Sequence, residues 1–251
     1  MDPSLHIAAL REEGGRLSGA AAAAGLDAPV PTCPGWSVRD LVQHLGGVHR
    51  WATWHVTSGE SRETTAAEDA RFFARVPDAD LLAWFLDGHA SLLAALTGAD
   101  PSLHCWTFLA APSALAFWAR RQAHETAIHR VDAEAAAGGP STCEAGFAAD
   151  GIDELLNGFL SRPRGGLVSD PAIALGIRAA DTGDAWTIRI EPDRRTVTSG
   201  LSPADCTIRG AASDLYLFLW NRLPAGTPAV LVSGDRAVLG LWRDRATIRW
   251  G

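Results

Sequence analysis

The stretch Arg120–Arg130, RRQAHETAIHR, concentrates side chains that could do chemistry in an otherwise alanine-rich region. A helix turns about 100° per residue, so Glu125 and His129 lie about 40° apart on consecutive turns and can bind one ion together. His124 points about 140° away from His129. This spacing differs from the HExxH of zincin proteases, in which two histidines are ligands and the glutamate is the base. We therefore predict a metal site in which Glu125 itself is a ligand.

A third ligand for such a site has to come from another helix. On the helix predicted over 37–57, His44 shares a face with Val48 and Trp51. His49 lies about 140° away from that face, so His44 is predicted to be the inward histidine. Two histidines and one carboxylate suit Zn²⁺ or another divalent first-row ion. They leave one coordination position open for water or substrate, which is typical of catalytic zinc.

Simpler interpretations of these residues stay open at this point. A glutamate and a histidine one turn apart beside arginines often form a solvated, ion-paired helix face. A single inward histidine such as His44 is often a hydrogen-bonded core residue. The neighbouring Arg120 and Arg121 could bind a carboxylate, but we expect them to be solvated.

Composition excludes several classes of function. A formal net charge of −7 disfavours general nucleic-acid binding, which requires a basic face. All 22 positive charges are arginines, a bias typical of GC-rich bacterial genomes such as actinobacterial ones, and lysine-dependent Schiff-base chemistry is excluded. No apolar run approaches the roughly 18 residues of a membrane span, and the N-terminus does not resemble a signal peptide. We expect a cytoplasmic monomer or homodimer that binds small molecules rather than nucleic acid or a membrane.

The cysteines are predicted to be reduced and not to act as nucleophiles. They are too scattered for a disulfide framework or a CxxC metal motif. In these motifs no cysteine is predicted to lie beside a cationic histidine or a helix N-terminus, which would activate it. The four cysteines are Cys33, Cys105, Cys143 and Cys206.

Four long helices are predicted to position the candidate ligands. The second opens with Ser37-Val-Arg-Asp40, which has the pattern of a capping box, and the fourth stops at Gly138-Gly139-Pro140. Long helices joined by loops favour a bundle, whose core can hold a metal site. The predicted helices span 3–24, 37–57, 78–96 and 112–137.

Beyond residues 161–166 the pattern changes to short strands around a single helix, Ala211–Arg222. We therefore predict an α+β fold, with a helical bundle over 1–161 and a smaller α+β domain over 167–251. The break is expected within about five residues of 162–166. The predicted strands are Ala172–Arg178, Trp186–Glu191, Cys206–Arg209, Ala229–Ser233 and Ala246–Trp250.

Three stretches together resemble the mycothiol-dependent maleylpyruvate isomerase family, in which a DinB-like four-helix metalloprotein fold precedes a small α+β domain. The CPGW element with its following His-Leu, and the E-x-x-x-H helix, are the more specific features. The resemblance covers most of the chain in the same order. The stretches are Pro31–Leu45, Arg121–Asp132 and Ile208–Arg222.

The resemblance implies a Zn²⁺ site with His44, Glu125 and His129 as ligands, the residues that helix geometry also selects. It implies mycothiol as cofactor or cosubstrate, and an arginine near the active site at Arg222, which would suit a carboxylate on the substrate or on the thiol. The predicted function is a zinc-dependent enzyme that activates mycothiol as a metal-bound thiolate for addition to an electrophile. The reaction would be S-transfer or a maleylpyruvate-type cis–trans isomerisation.

Two other functions remain open on the sequence alone. The same ligands permit a zinc hydrolase acting through bound hydroxide, for which His49 and His124 are the adjacent candidates for a general base. A non-enzymatic protein that binds a ligand or regulates another protein is the other alternative.

Overall fold

The computed structural model describes residues 1–162, 166–246 and 248. It divides into two compact units, Met1–Ser141 and Thr142–Gly251. The first unit is helical and the second combines helices with a mixed sheet, so the predicted α+β class is confirmed.

The division between the units falls earlier in the chain than the predicted break at 162–166. Between the two positions lies helix α6 (Ala145–Asp153), which continues as a π-helix over Glu154–Leu160. Helix α6 packs against a helix of the second unit, which is why it does not belong with the bundle. Periodicity identifies such a segment as helical but does not say which core it joins.

The long helices of the first unit begin and end close to their predicted positions. The helix α2 begins with the predicted capping box, in which Ser37 and Asp40 bond each other's backbone N–H groups. It ends at Gly59, whose positive φ of 68° closes the last turn. The short α3 was not predicted. The helices are α1 (Pro3–Ala24), α2 (Val38–Ser58), α3 (Ala66–Phe72), α4 (Asp78–Gly98) and α5 (Ala114–Ala136).

Two glycines in the middle of α2 allow its neighbours to approach closely. A Cβ atom on Gly46 would lie 2.2 Å from the ring of Trp84, and one on Gly47 would lie 2.4 Å from the ring of Phe73. Helix α4, which carries Trp84, is by length and composition apolar enough to cross a membrane. Its buried face, which includes Leu81, Phe85, Leu92 and Leu93, packs against α2 and α1, as in a core helix.

Helix α5 is enclosed by protein over most of its length. Every residue from Phe117 to Ala133 except Arg120 is buried. It packs mainly against α1 and also against α2. The charged side chains of this helix therefore lie in the interior, where each requires a partner.

The second unit contains a five-stranded mixed sheet in the order β3-β2-β1-β4-β5, in which only β1 and β4 are parallel. Strand β3 and helix α8 were not predicted. The predicted strand Ala246–Trp250 lies mostly outside the described residues. The elements are β1 (Ile173–Ala179), β2 (Ala185–Ile190), β3 (Arg195–Ser199), β4 (Cys206–Gly210), α7 (Ala212–Leu219), β5 (Leu231–Gly234) and α8 (Ala237–Arg245).

One core histidine of the first unit is enclosed by indole rings. His55 stacks on Trp106 and Trp118, with centroid distances of 5.0 Å in each case. It also meets Trp51 and Trp54 edge to face at 5.1 and 4.9 Å. Neither ring nitrogen of His55 has a hydrogen-bond partner within the described parts of the chain. Burial lowers the pKa of His55 from 6.5 to about 4.

The substitution H55F should stabilise the protein, and the gain should grow as the pH falls. Because the folded-state pKa lies below the usual value, the unfolded chain binds more protons between these two values. Stability is therefore lost as the pH falls from about 6.5 towards about 4. The full shift corresponds to a loss on the order of 3 kcal/mol, of which about 2 kcal/mol should appear by about pH 5. Urea denaturation of both proteins between about pH 7.5 and about pH 5 measures the difference.

The control is H104Q, which removes an exposed histidine from the neighbouring loop and should leave the pH dependence unchanged. The same pH dependence of the free energy of unfolding in wild type and H55F would contradict the lowered pKa of His55.

Candidate metal centre

The three predicted ligands come together in the first unit. His44 is carried by α2, whereas Glu125 and His129 are carried by α5. The Oε1 atom of Glu125 lies 3.5 Å from Nε2 of His44 and 3.3 Å from Nε2 of His129. Donor atoms of all three residues lie within 4.8 Å of one another. Glu125 and His129 are buried, whereas His44 is half-buried.

The spacing of these donor atoms suits a divalent metal ion. Zinc binds nitrogen and oxygen at about 2.0–2.2 Å, which in a tetrahedron separates neighbouring donors by about 3.3–3.6 Å. The two distances to Glu125, 3.5 and 3.3 Å, fall in that range. Two imidazoles and a carboxylate are also a donor set of catalytic zinc. The residues therefore fit the metal that the sequence predicts.

The carboxylates of Glu125 and Asp132 favour a positive charge on the imidazole of His129. Burial opposes ionisation of Glu125, but hydrogen bonds with His129 and His44 hold its pKa well below the usual value. Burial likewise opposes protonation of His129, yet Asp132 and Glu125 raise its pKa to about 9. His129 is thus cationic at neutral pH, and a metal ion would have to replace its proton.

Arg121 is buried, so the prediction that it is solvated is wrong. It is 1% exposed, and its Nη2 donates to Oε2 of Glu125 at 3.1 Å. This bond leaves Oε1 of the same carboxylate to face the histidines. Arg130 is also wholly buried and donates to Glu13 at 2.5 Å, whereas Arg120 is half-buried. The segment is therefore not a solvated helix face.

His49 and His124 do not belong to this ligand set. The prediction that His44 is the inward histidine of α2 needs correction, because His49 is wholly buried and His44 is not. The Nε2 atom of His49 bonds Oγ1 of Thr126 at 2.9 Å, and burial lowers its pKa well below the usual value. His124 is likewise buried, with its ring against that of His6. Both histidines are therefore poorly placed to act as a base for a ligand bound at Glu125.

Two aromatic rings cover the imidazoles of the site. Trp36 stacks on His129 at a centroid distance of 6.1 Å and meets His44 edge to face at 5.1 Å. Phe73 stacks on His44 at a centroid distance of 6.4 Å and is 40% exposed. Gly47 makes room for this phenylalanine, because a Cβ atom there would lie 2.4 Å from its ring. The two rings add apolar surface beside the ligands.

Cys33 lies next to the candidate ligands, which the sequence analysis missed. Its Sγ donates to Oδ2 of Asp132 at 3.3 Å, and donor atoms of Cys33, Asp132 and His129 lie within 4.8 Å of one another. The expectation that no cysteine lies beside a cationic histidine is therefore wrong. The only sequence signal was the position of Cys33 in the CPGW element.

The cysteine thiols are all free, as expected for reduced residues. Burial raises the pKa of Cys105, and a hydrogen bond with Trp118 offsets part of this effect. A raised pKa disfavours the nucleophilic thiolate. Cys105 therefore has the properties of an unreactive thiol.

Arg222 lies in the second unit, immediately beyond α7 rather than within the predicted helix Ala211–Arg222. Asn221 adopts a positive φ of 61°, and the N–H of Arg222 donates to the carbonyl of Leu217 at 2.7 Å. These features define a Schellman turn, which ends the helix. The guanidinium donates from Nη1 to the carbonyl of Trp220 at 2.8 Å. A role for Arg222 in the active site stays a prediction.

The fold and the ligand set together define a two-domain protein whose helical bundle carries a candidate metal site. Residues 7–134 match the family model of the mycothiol maleylpyruvate isomerase N-terminal domain. Residues 146–241 match that of the MDMPI C-terminal domain. The chain therefore belongs to the mycothiol maleylpyruvate isomerase family, a family of enzymes.

Solved structures share this fold. The crystal structure of the mycothiol-dependent maleylpyruvate isomerase matches with a TM-score of 0.61 and 15% sequence identity, over 94% of this chain and 95% of that chain. A histidine-to-alanine variant of that enzyme matches with a TM-score of 0.61 and 14% identity, over the same 94% and 95%. At this level of identity the likeness shows the fold alone. Comparison with curated proteins finds no significant match.

The substitution R121M should destabilise the protein by about 1 to 3 kcal/mol, because it leaves Oε2 of the buried Glu125 carboxylate without its donor. The double variant R121M/E125Q should recover part of that loss, since a neutral amide costs less to leave unpaired than a carboxylate does. Urea denaturation of wild type, both single variants and the double variant measures this coupling.

The matched control is R39M, because Arg39 pairs with the exposed Asp27 and Asp78. Its loss should cost much less than that of Arg121, because solvent screens an exposed ion pair. Strictly additive effects of R121M and E125Q would show that the two side chains do not interact.

Proposed function

We propose that this protein is a zinc-dependent enzyme that uses a low-molecular-weight thiol, mycothiol, to isomerise a maleylpyruvate-type substrate. The observation that carries the proposal is the convergence of His44, Glu125 and His129 at separations suited to a metal ion. Membership of the mycothiol maleylpyruvate isomerase family supports the choice of thiol and reaction. Transfer of the thiol to another electrophile is the related reaction that the same site would support.

His44, Glu125 and His129 would hold the metal, and the fourth position would accept the thiol sulfur. A zinc ion bound there would lower the pKa of the thiol, so that the nucleophilic thiolate would exist at neutral pH. Arg121 would keep Glu125 in place by holding its Oε2. Trp36 would shield the imidazoles from water by stacking on one and meeting the other edge to face.

The isomerisation needs no net change in the substrate other than its geometry. The thiol sulfur would add to the activated double bond, which becomes a single bond and can rotate. Loss of the same sulfur then restores the double bond in the trans form. Because sulfur both adds and leaves, the thiol is regenerated.

Arg222 is proposed to bind a carboxylate of the substrate or the thiol, since its planar guanidinium can form two parallel hydrogen bonds. In the sequence, Arg222 lies beyond the proposed domain boundary near 162–166. It also lies beyond the division after Ser141. We further propose a cytoplasmic monomer or homodimer whose partners are small molecules. Its net charge of −7 supports the exclusion of nucleic acid.

The direct test incubates zinc-loaded protein with mycothiol and a panel of electrophiles that includes maleylpyruvate. Isomerised product and thiol adducts are both measured. Product formation should require the metal and the thiol together. The substitution E125A should remove bound metal and turnover together. Zinc affinity should fall by more than the roughly 10- to 100-fold that follows loss of a hydrogen-bond partner of a metal ligand.

The control variant is C105S, which should retain most activity because Cys105 has the properties of an unreactive thiol. Turnover that persists without added thiol would contradict the proposal and favour a zinc hydrolase. Zinc binding without turnover of any substrate in the panel would favour a ligand-binding or regulatory protein instead.

A further inference from the structure

We propose that Asp132 is a positioning residue that holds the imidazole of His129 with its Nε2 directed at the metal position. The proposal rests on the proposed metal site, and it extends that site to the loop that carries Thr32 and Cys33. Asp132 would touch neither substrate nor metal, and would act through His129 alone.

The carboxylate of Asp132 is wholly buried and accepts hydrogen bonds at both oxygens. Its Oδ2 lies 2.9 Å from Nδ1 of His129 and accepts from Sγ of Cys33 at 3.3 Å. Its Oδ1 accepts from Oγ1 of Thr32 at 2.5 Å. The three donors on its two oxygens fix the orientation of this buried carboxylate.

This contact determines which nitrogen of His129 is available to a metal. A carboxylate accepts but cannot donate, so the nitrogen facing Asp132 must carry a proton. The other nitrogen, Nε2, lies 3.3 Å from Oε1 of Glu125, on the side where the ligand set converges. Histidines that bind metals usually donate their second N–H to a carboxylate or carbonyl in this way.

The loop before α2 holds the donors to Asp132 in place. This loop consists of two successive turns. In the first, the N–H of Cys33 donates to the carbonyl of Val30, and in the second, the N–H of Trp36 donates to the carbonyl of Cys33. Gly35 within it has a φ of 89°, which favours glycine. The same short loop thus fixes Thr32 and Cys33 against Asp132, and fixes Trp36 against His129. The CPGW element is therefore expected to preserve the orientation of a ligand, not to supply a nucleophile.

Another role for the same atoms is a second metal position, because donors of Cys33, His129 and Asp132 lie within 4.8 Å of one another. The distances favour the positioning role. Nδ1 of His129 lies 2.9 Å from Oδ2 of Asp132, a hydrogen-bond distance that is shorter than the about 3.3–3.6 Å between two donors on one zinc ion. Oδ1 of the same carboxylate is already bonded by Thr32.

The test compares D132N, D132A and T32V with wild type by titrating each protein with Zn²⁺ against a chromophoric chelator. D132A should weaken zinc binding by about 10- to 100-fold. Zinc binding should weaken less in D132N, because its amide oxygen can still accept a hydrogen bond from His129. Of the three variants, T32V should weaken zinc binding least. The control is E134Q, which alters a carboxylate on the same helix that pairs with Arg130 and Arg16. It should leave zinc affinity unchanged.

A second measurement does not depend on zinc. The proton shared between His129 and Asp132 should give a downfield, slowly exchanging imidazole resonance in wild type, assigned by its loss in H129Q. D132A should lack that resonance, whereas E134Q should retain it. A protein that binds no zinc but shows this pattern would overturn the proposed function and leave the positioning role intact.

Three outcomes would overturn the positioning role itself. The first is wild-type zinc affinity in both D132N and D132A. The second is absence of the imidazole resonance from wild type. The third is a stoichiometry of two zinc ions per chain that falls to one in C33S, because Asp132 would then be a ligand.

Discussion

The burial of charged side chains along α5 is the constraint on which the rest of the bundle depends. An unpaired charge in the interior costs several kcal/mol, so each one has to meet a partner from the same helix or a neighbouring one. Arg130 donates to Glu13 of α1, and Glu125 contacts His44 of α2. These pairs specify which residues of α1 and α2 face α5, a choice that apolar packing alone leaves open. The position of the candidate ligands is thus part of the requirement for folding.

Features that depend on neighbours in the chain could be predicted from the sequence. The i, i+4 spacing of Glu125 and His129 follows from helix geometry, and their side chains do lie together at 3.3 Å. The capping box of Ser37 and Asp40 is a local pattern, and the structure contains it. Most long helices and strands also lie close to their predicted positions, because each shows its own periodicity.

Tertiary burial could not be predicted in the same way. Periodicity reports a contrast between exposed and buried faces, and α5 offers little contrast because almost every residue along it is buried. Arg121 was therefore expected in solvent although it lies in the interior, and His49 proved more buried than His44. The contact of Cys33 with Asp132 joins residues 99 positions apart, so no local pattern could show it.

The same buried pairs set the orientation of the candidate ligands. Glu125 and Asp132 lie on opposite nitrogens of His129, and their hydrogen bonds raise its pKa to about 9 despite burial. The two carboxylates thus favour a proton on the imidazole between them. A metal held by Nε2 would replace that proton, whereas Nδ1–H would continue to bond Asp132.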